Sequence, residues 1–162
     1  MLAAERILRA FEHHDVDYVL IGALAATVHG SVLRTEDVDV CPSRTRSNLT
    51  NLAAALLALE AKELDPHKGE VVHREWDAAM LDGDVMWLLV TPFGRLDLVF
   101  EPAGTAGYED LARDALDVDI GGVRARIASL RDVIRSKEAL NRPRDREQLP
   151  TLRRLLDLGG GE

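Results

Sequence analysis

Asp37 and Asp39 are separated by a single valine and lie in an otherwise apolar run of the chain. Alternation of this kind predicts a β-strand, in which side chains two residues apart point to the same face of the sheet. Two adjacent carboxylates repel each other at neutral pH unless a cation lies between them. A small number of hard oxygen ligands suits Mg²⁺, which keeps several waters and also binds substrate phosphates. The spacing therefore predicts a divalent-metal site on this strand.

Asp97 is the candidate for a third carboxylate ligand. It lies between two leucines in an apolar stretch that continues through Phe100. A lone carboxylate among buried neighbours is costly unless its charge is compensated, and two-metal phosphoryl transfer requires ligands for two ions. The alternative is an exposed edge strand on which Asp97 faces water. The metal hypothesis requires the carboxyl of Asp97 to lie on the same side of the sheet as those of Asp37 and Asp39.

A second feature precedes the two aspartates. An apolar run that begins at Tyr18 reaches Gly22 and Ala23, and 13 residues then separate Ala23 from Asp37. A strand that ends in glycine allows a helix to begin abruptly, and the N–H groups at a helix start attract phosphate oxygens. Such junctions occur in many α/β proteins, so the phosphate-binding interpretation of this one depends on the aspartates that follow it.

Charge is distributed unevenly along the chain. The formal net charge is −8, which argues against a generic nucleic-acid binder. The segment from Ser129 to Arg154, however, has eight basic and four acidic side chains, so it carries +4 and the remainder −12. This segment is either a local surface for polyanions or a solvated helix with intrahelical ion pairs, and charge alone leaves both interpretations open.

Length and composition predict one domain over residues 1–158, with a core to about residue 128, a C-terminal helical part at 129–158 and a disordered tail at 159–162. No apolar run approaches the roughly 20 residues of a membrane helix, so we expect no membrane association. The N-terminus lacks the pattern of a signal peptide. The single cysteine, Cys41, excludes an internal disulfide and fits a reducing cytoplasm, where we expect the protein.

Periodicity and turn residues predict helices and strands in a mixed α/β order. Ser47 is the predicted N-cap of the third helix, and Ser129 with Asp132 forms a predicted capping box. Residues 62–84 are predicted as loop with a weak strand at 71–72. The remaining predicted strands are 19–21, 37–41, 85–91, 95–100, 118–120 and 123–125, and the predicted helices are 2–14, 23–28, one following Ser47, 108–115, 129–140 and 144–158.

The order apolar residue, glycine, small residue, spacer and Asp–apolar–Asp–apolar resembles the signature of the nucleotidyltransferase superfamily related to DNA polymerase β. The resemblance implies the nucleotidyltransferase fold, an α+β (mixed α/β) architecture in which a small twisted mixed sheet is backed by helices on one side and followed by C-terminal helices. It also implies two Mg²⁺ ions during catalysis, with Asp37, Asp39 and Asp97 as catalytic metal ligands.

The same resemblance implies a bound nucleoside triphosphate. Its ligands in this part of the chain would be Gly22, Ala23, Ser31 and Arg34. The family has glycine or serine where this chain has Ala23, which supplies a backbone N–H but no hydroxyl. The run from His29 to Ser31 is the candidate replacement donor, although His29 more often packs or caps a helix.

Residues 129–149 are similar to small bacterial nucleotidyltransferases of AbiE-type and MenT-type toxin–antitoxin systems. Those proteins carry Ser-Leu-x-Asp, a lysine and Arg-Pro-Lys-Asp, which here are residues 129–132, Lys137 and residues 142–145. The resemblance implies that Lys137 is a catalytic triphosphate ligand, that Arg142 and Asp145 belong to the nucleotide site, and that Asp145 positions Lys137 or Arg142. A later acid of the family is Gln148 here. Without the resemblance, Lys137 is interpreted as a solvated helix lysine.

These features lead to the hypothesis of a metal-dependent enzyme that transfers a nucleoside monophosphate from a triphosphate to an acceptor hydroxyl. The toxin resemblance implies a tRNA 3′ end as acceptor and an antitoxin protein as partner. A protein hydroxyl or a small molecule such as an aminoglycoside is equally compatible with the chemistry. The alternatives are a catalytically degenerate nucleotide- or partner-binding module and a structural subunit that pairs with an antitoxin-like protein.

Overall fold

The computed structural model describes residues 2–32 and 35–159, in which helices and strands alternate along the chain. The strands are β1 (Tyr18–Ile21), β2 (Asp37–Pro42), β3 (Lys62–Leu64), β4 (Val71–Val72), β5 (Met86–Thr91), β6 (Gly94–Val99), β7 (Leu116–Ile120) and β8 (Val123–Ile127). The helices are α1 (Ala4–His13), α2 (Gly22–Val28), α3 (Arg46–Ala58), α4 (Ala78–Leu81), α5 (Tyr108–Asp114), α6 (Leu130–Leu140) and α7 (Pro143–Leu158).

The described strands form one sheet in the order β4-β3-β5-β6-β2-β1-β8-β7. The pairs β2–β6 and β1–β8 are parallel, and the other neighbouring pairs are antiparallel. The mixed α/β class predicted from the sequence is therefore confirmed. The two strands that carry the predicted metal ligands, β2 and β6, are neighbours near the centre of the sheet.

Helices cover both faces of the sheet, which corrects the expectation that they lie on one side. On one face, α1 and α3 pack against alternate strand residues such as Leu20, Val40 and Leu98. On the other face, α2, α5, α6 and α7 pack against Val19 and Cys41. The alternation along β2 is the physical reason: its even-numbered valines enter the first core, so its odd-numbered residues face the second group of helices.

One predicted N-cap and one predicted capping box need correction. The N-cap of α3 is Thr45, whose hydroxyl accepts a hydrogen bond from the Asn48 N–H, and Ser47 lies inside the helix. Ser129 caps α6 as predicted, because its hydroxyl accepts the Asp132 N–H. The capping box is incomplete, since the Asp132 carboxylate pairs with Arg135 instead.

The region 62–84 contains more structure than its sequence predicts. The weak strand at 71–72 is present as β4, but β3 and α4 were not predicted. Strand β3 is only three residues long and is held by its pairing with β4 and β5. Helix α4 is a single turn whose N-cap, Asp77, accepts the Met80 N–H.

The C-terminal helices follow the predicted pattern. The boundary expected near residue 128 falls between β8 and α6. Helix α7 begins at Pro143, one residue earlier than predicted, and buries Leu149 and Leu152. The predicted disordered tail lies outside the described residues except for Gly159. Among the described helices, none combines the length and the apolar character needed to cross a bilayer.

Candidate active site

Asp37, Asp39 and Asp97 converge at the centre of the sheet. Asp37 and Asp39 lie on β2, and Asp39 is directly opposite Asp97 on the parallel strand β6. One carboxylate oxygen from each of the three residues lies within 4.8 Å of the other two. Because β6 lies between β5 and β2, Asp97 is not on an edge strand, and its side chain is 14% exposed. The requirement that the three carboxyls share one side of the sheet is met.

The three carboxylates destabilise one another's charge. Burial and, after it, the nearby charges of Asp97 and Asp37 together raise the pKa of Asp39 to about 7. Burial also raises the pKa of Asp97, although Arg95 opposes this shift. Asp39 in particular therefore resists ionisation near neutral pH. A divalent cation would relieve this repulsion, so the donor set fits a divalent metal ion.

Gly22 lies against one of these carboxylates. It starts α2 with a φ of +71°, a conformation that glycine adopts without steric cost. A Cβ atom at this position would lie 2.3 Å from Asp39 Oδ2. No side chain fits there unless Asp39 moves. Glycine is thus required both by the backbone conformation and by the close approach of the carboxylate.

A cleft of about 1250 Å³ opens over the three carboxylates. The sheet side of the cleft includes Gly22 and Ala23, and the C-terminal helices form its opposite wall. Glu101 and Thr105 from the segment after β6 contribute to the lining, as does Asp132 from α6. The basic lining residues at the junction of α6 and α7 are Lys137, Arg142 and Arg144. The cleft thus joins a carboxylate cluster to a basic surface.

Lys137 faces this cleft although it is only 8% exposed. Its Nζ donates a hydrogen bond of 2.6 Å to Gln148 Oε1 and lies 3.7 Å from Asp145 Oδ1. Burial lowers the pKa of Lys137, and the charge of Asp145 opposes this shift. Gln148 is therefore a hydrogen-bond acceptor for Lys137. The Lys137 side chain is therefore buried and hydrogen-bonded, and it is not a solvated helix lysine.

Asp145 lies behind Lys137 and is fully buried. Its Oδ2 accepts hydrogen bonds from the backbone N–H and the Nε of Arg142, at 3.0 and 2.7 Å. Burial raises the pKa of Asp145, but the hydrogen bonds and charge of Arg142 outweigh it, so the pKa is lowered overall. Asp145 contacts both residues that it was predicted to position. It is not among the residues that line the cleft.

Some of the other predicted nucleotide ligands line the cleft and some do not. Gly22, Ala23 and Arg142 line the cleft, whereas Ser31 is buried and is not part of the lining. The side chain of His29 is paired with the carbonyl oxygen of Ala128 at 2.8 Å, which is a structural contact. Arg34 lies outside the described residues.

The sequence analysis missed Arg95, which lies beside the acid triad (Asp37, Asp39 and Asp97). Its side chain is within 4 Å of both Asp37 and Asp97. The signal was present, because a residue two positions before Asp97 on a strand must share its face of the sheet. Net charge and motif spacing do not reveal this contact, since both ignore the register between β2 and β6.

No family model matches the chain, and no curated protein matches it. Solved structures do share its fold. The lincosamide antibiotic adenylyltransferase LnuA, solved with bound lincomycin, is 16% identical over 95% of this chain and 98% of its own, with a TM-score of 0.63. A candidate nucleotidyltransferase from Thermotoga maritima is 14% identical over 97% of this chain and 96% of its own, with a TM-score of 0.59. ANT(2″)-Ia in complex with adenylyl-2″-tobramycin is 17% identical over 94% of this chain and 85% of its own, with a TM-score of 0.55. The chain thus has the nucleotidyltransferase fold.

Proposed function

We propose that this protein is a metal-dependent nucleotidyltransferase that transfers a nucleoside monophosphate from a nucleoside triphosphate to an acceptor hydroxyl in the cytoplasm. The observation that carries the proposal is the convergence of three carboxylates beside Gly22, at the floor of a cleft whose opposite wall presents Lys137. Nucleotidyl transfer needs both a site for divalent ions and cations that neutralise a triphosphate.

Each part of the cleft has a role in this reaction. Asp37, Asp39 and Asp97 would hold two Mg²⁺ ions, which supply charge neutralisation and lower the pKa of the acceptor hydroxyl when bound. Lys137 binds the triphosphate as a point charge, and Asp145 and Gln148 keep it in place. The acceptor oxygen forms a bond to the α-phosphorus while the bond between the α-phosphorus and the oxygen that bridges to the β-phosphorus breaks. Pyrophosphate leaves, and the hydroxyl proton passes to the triad or to solvent.

The test is pyrophosphate release from each labelled nucleoside triphosphate, with total cellular RNA or protein as acceptor. The wild-type protein should require Mg²⁺, and Asp39→Ala should abolish transfer while the circular dichroism spectrum stays unchanged. Full activity in the Asp39→Ala protein would contradict the proposal. Metal-dependent nucleotide binding without any pyrophosphate would instead indicate the degenerate binding module.

For the acceptor, we propose an RNA end such as the tRNA 3′ terminus, which would make the protein the toxin of a toxin–antitoxin pair. Arg142 and Arg144 support this proposal because both line the cleft at the basic junction. Replacing Arg144 with glutamate leaves the Arg142–Asp145 pair intact, so it should reduce transfer to RNA far more than it reduces nucleotide binding. Equal loss of both properties would refute the RNA assignment.

A small molecule that carries hydroxyl and amino groups is the second candidate acceptor. Glu101 and Asp132 favour it, because these acids line the same cleft and would repel a polyanion while binding a cation. The neighbouring structures solved with lincomycin and with adenylyl-tobramycin supply the probes. Transfer of labelled nucleotide to either compound, with none to tRNA, would select this alternative.

A further inference from the structure

Arg95 is a cation placed directly beside the acid triad. It is the partner of Asp37 in the register between β6 and β2, and it precedes Asp97 by two residues on β6. Its Nη2 lies 3.5 Å from Asp97 Oδ1, and its Nε lies 3.9 Å from Asp37 Oδ1. Strong arginine–carboxylate hydrogen bonds are about 2.8 Å long. The guanidinium therefore compensates the charge of the triad without being firmly bonded to it.

The donors of Arg95 are incompletely used. Within the part of the chain that the structure describes, its buried Nε has no hydrogen-bond partner. The side chain as a whole is 42% exposed and lines the cleft. A buried N–H group without an acceptor is costly. The guanidinium would therefore be stabilised by moving to a place where this group finds an acceptor.

We propose that Arg95 is the counter-ion of the acid triad in the metal-free protein, and that divalent cations displace its guanidinium, which then binds the phosphate oxygens of the nucleotide. The second half of this inference rests on the proposed nucleotidyltransferase function. The physical reason is competition: a divalent ion needs the same oxygens of Asp37 and Asp97 and repels the guanidinium. The planar fork of arginine matches the geometry of a phosphate group, which is then within the same cleft.

This exchange predicts opposite changes in two affinities. Arg95→Gln removes the competing cation, so Mn²⁺ alone should bind about three- to tenfold tighter, as measured by titration calorimetry without nucleotide. The same variant loses a charged phosphate ligand, so at saturating Mn²⁺ the affinity for the nucleoside triphosphates should fall about 10- to 100-fold. A residue that merely supports the site would weaken both affinities together.

Two matched variants sharpen the test. Arg95→Lys keeps the charge but loses the fork, so it should bind Mn²⁺ like the wild type and bind nucleotide with intermediate affinity. Arg74→Gln makes the same change in net charge at a residue that is paired with Glu63 and lies outside the cleft lining. It should leave both affinities unchanged. Thermal melting of each variant verifies that it is folded.

The outcomes separate this inference from the proposed function. Weaker or unchanged Mn²⁺ binding in Arg95→Gln would overturn the counter-ion role, even if the wild type is an active nucleotidyltransferase. Unchanged nucleotide affinity in Arg95→Gln would overturn the phosphate role. A third outcome is that Arg95→Gln binds Mn²⁺ more tightly than the wild type, but the wild type binds no nucleotide. This result would confirm the counter-ion role and refute both the phosphate role and the proposed function.

Discussion

Asp39 is held in an environment that opposes its charge. It is partly buried, it has two carboxylate neighbours, and Arg95 offsets them incompletely, so its pKa is raised from 3.8 to about 7. The folded, metal-free protein therefore binds a proton here that the unfolded chain releases near pH 4. This difference makes the free energy of unfolding fall as the pH rises from about 4 to about 7. The clustering of these carboxylates thus lowers the stability of the metal-free protein.

Replacing Asp39 with asparagine should stabilise the metal-free protein at pH 8, by on the order of a few kcal/mol, because the variant has no charge to bury. At pH 4 the gain should be much smaller, since Asp39 is then protonated in the folded state. Urea unfolding at both pH values, with EDTA present, measures the difference. An equal effect at the two pH values would show that charge burial is not the cause.

Metal binding should depend on pH for the same reason. Below about pH 7, Asp39 must lose its proton before it can bind a cation, so the affinity for Mg²⁺ should fall as the pH decreases. The increase in melting temperature caused by excess Mg²⁺ should therefore be larger at pH 8 than at pH 5.5. A pH-independent increase would contradict the raised pKa of Asp39.

Gly22 gives a prediction that separates geometry from charge. Gly22→Ala adds only a methyl group, but that group would overlap Asp39 Oδ2 in a backbone conformation with positive φ. Displacement of Asp39 should reduce Mn²⁺ affinity at least tenfold, with a loss of stability of about 1–2 kcal/mol. Gly122→Ala is the matched control, because Gly122 also has a positive φ but has no atom near the added Cβ. It should lose similar stability and no metal affinity.

At the scale of elements, the junction of α6 and α7 determines where Lys137 lies. Both side chains that hold Lys137, Asp145 and Gln148, belong to α7, while Lys137 itself belongs to α6. Asp145 also accepts the Arg142 N–H at the start of α7. One buried carboxylate therefore stabilises a helix start and anchors a catalytic candidate.

Asp145→Asn should consequently have two effects. Loss of the charge leaves the buried Lys137 ammonium poorly compensated, which should reduce stability by about 3–5 kcal/mol. It should also weaken nucleotide binding. Combining Asp145→Asn with Lys137→Met removes the uncompensated charge and should recover part of the stability but none of the binding. Denaturant unfolding and nucleotide titration of the single and double variants measure these effects.

The sequence predicted elements well where the apolar pattern is strong. Asp37 and Asp39 were predicted to share a face because the alternation around them is regular, and the family resemblance added Asp97 to them. Strand β3 and helix α4 were missed because their stability comes from tertiary contacts, such as the pairing of Glu63 with Leu89. Arg95 was missed for a related reason: its role depends on which strands are neighbours, and local pattern does not determine strand order.

At the scale of the molecule, the two cores lie on opposite faces of one sheet. Both stabilise the fold, but only the second core positions α7. Leu52 on α3 belongs to the first core and Leu152 on α7 to the second, and both are almost fully buried. Either substitution by alanine should lower the free energy of unfolding by about 2–5 kcal/mol. Only Leu152→Ala should also weaken nucleotide binding, because α7 carries the partners of Lys137. Equal binding losses in the two variants would contradict this separation.

The attachment of Lys137 to α7 has a consequence for control of the protein. The three carboxylates lie on strands of the sheet, whereas the side chains that position Lys137 belong to one helix, α7. A partner that moves this helix would displace the lysine and leave the three carboxylates in place. Nucleotide binding would thus be weakened from outside the cleft, by a partner that does not occupy it.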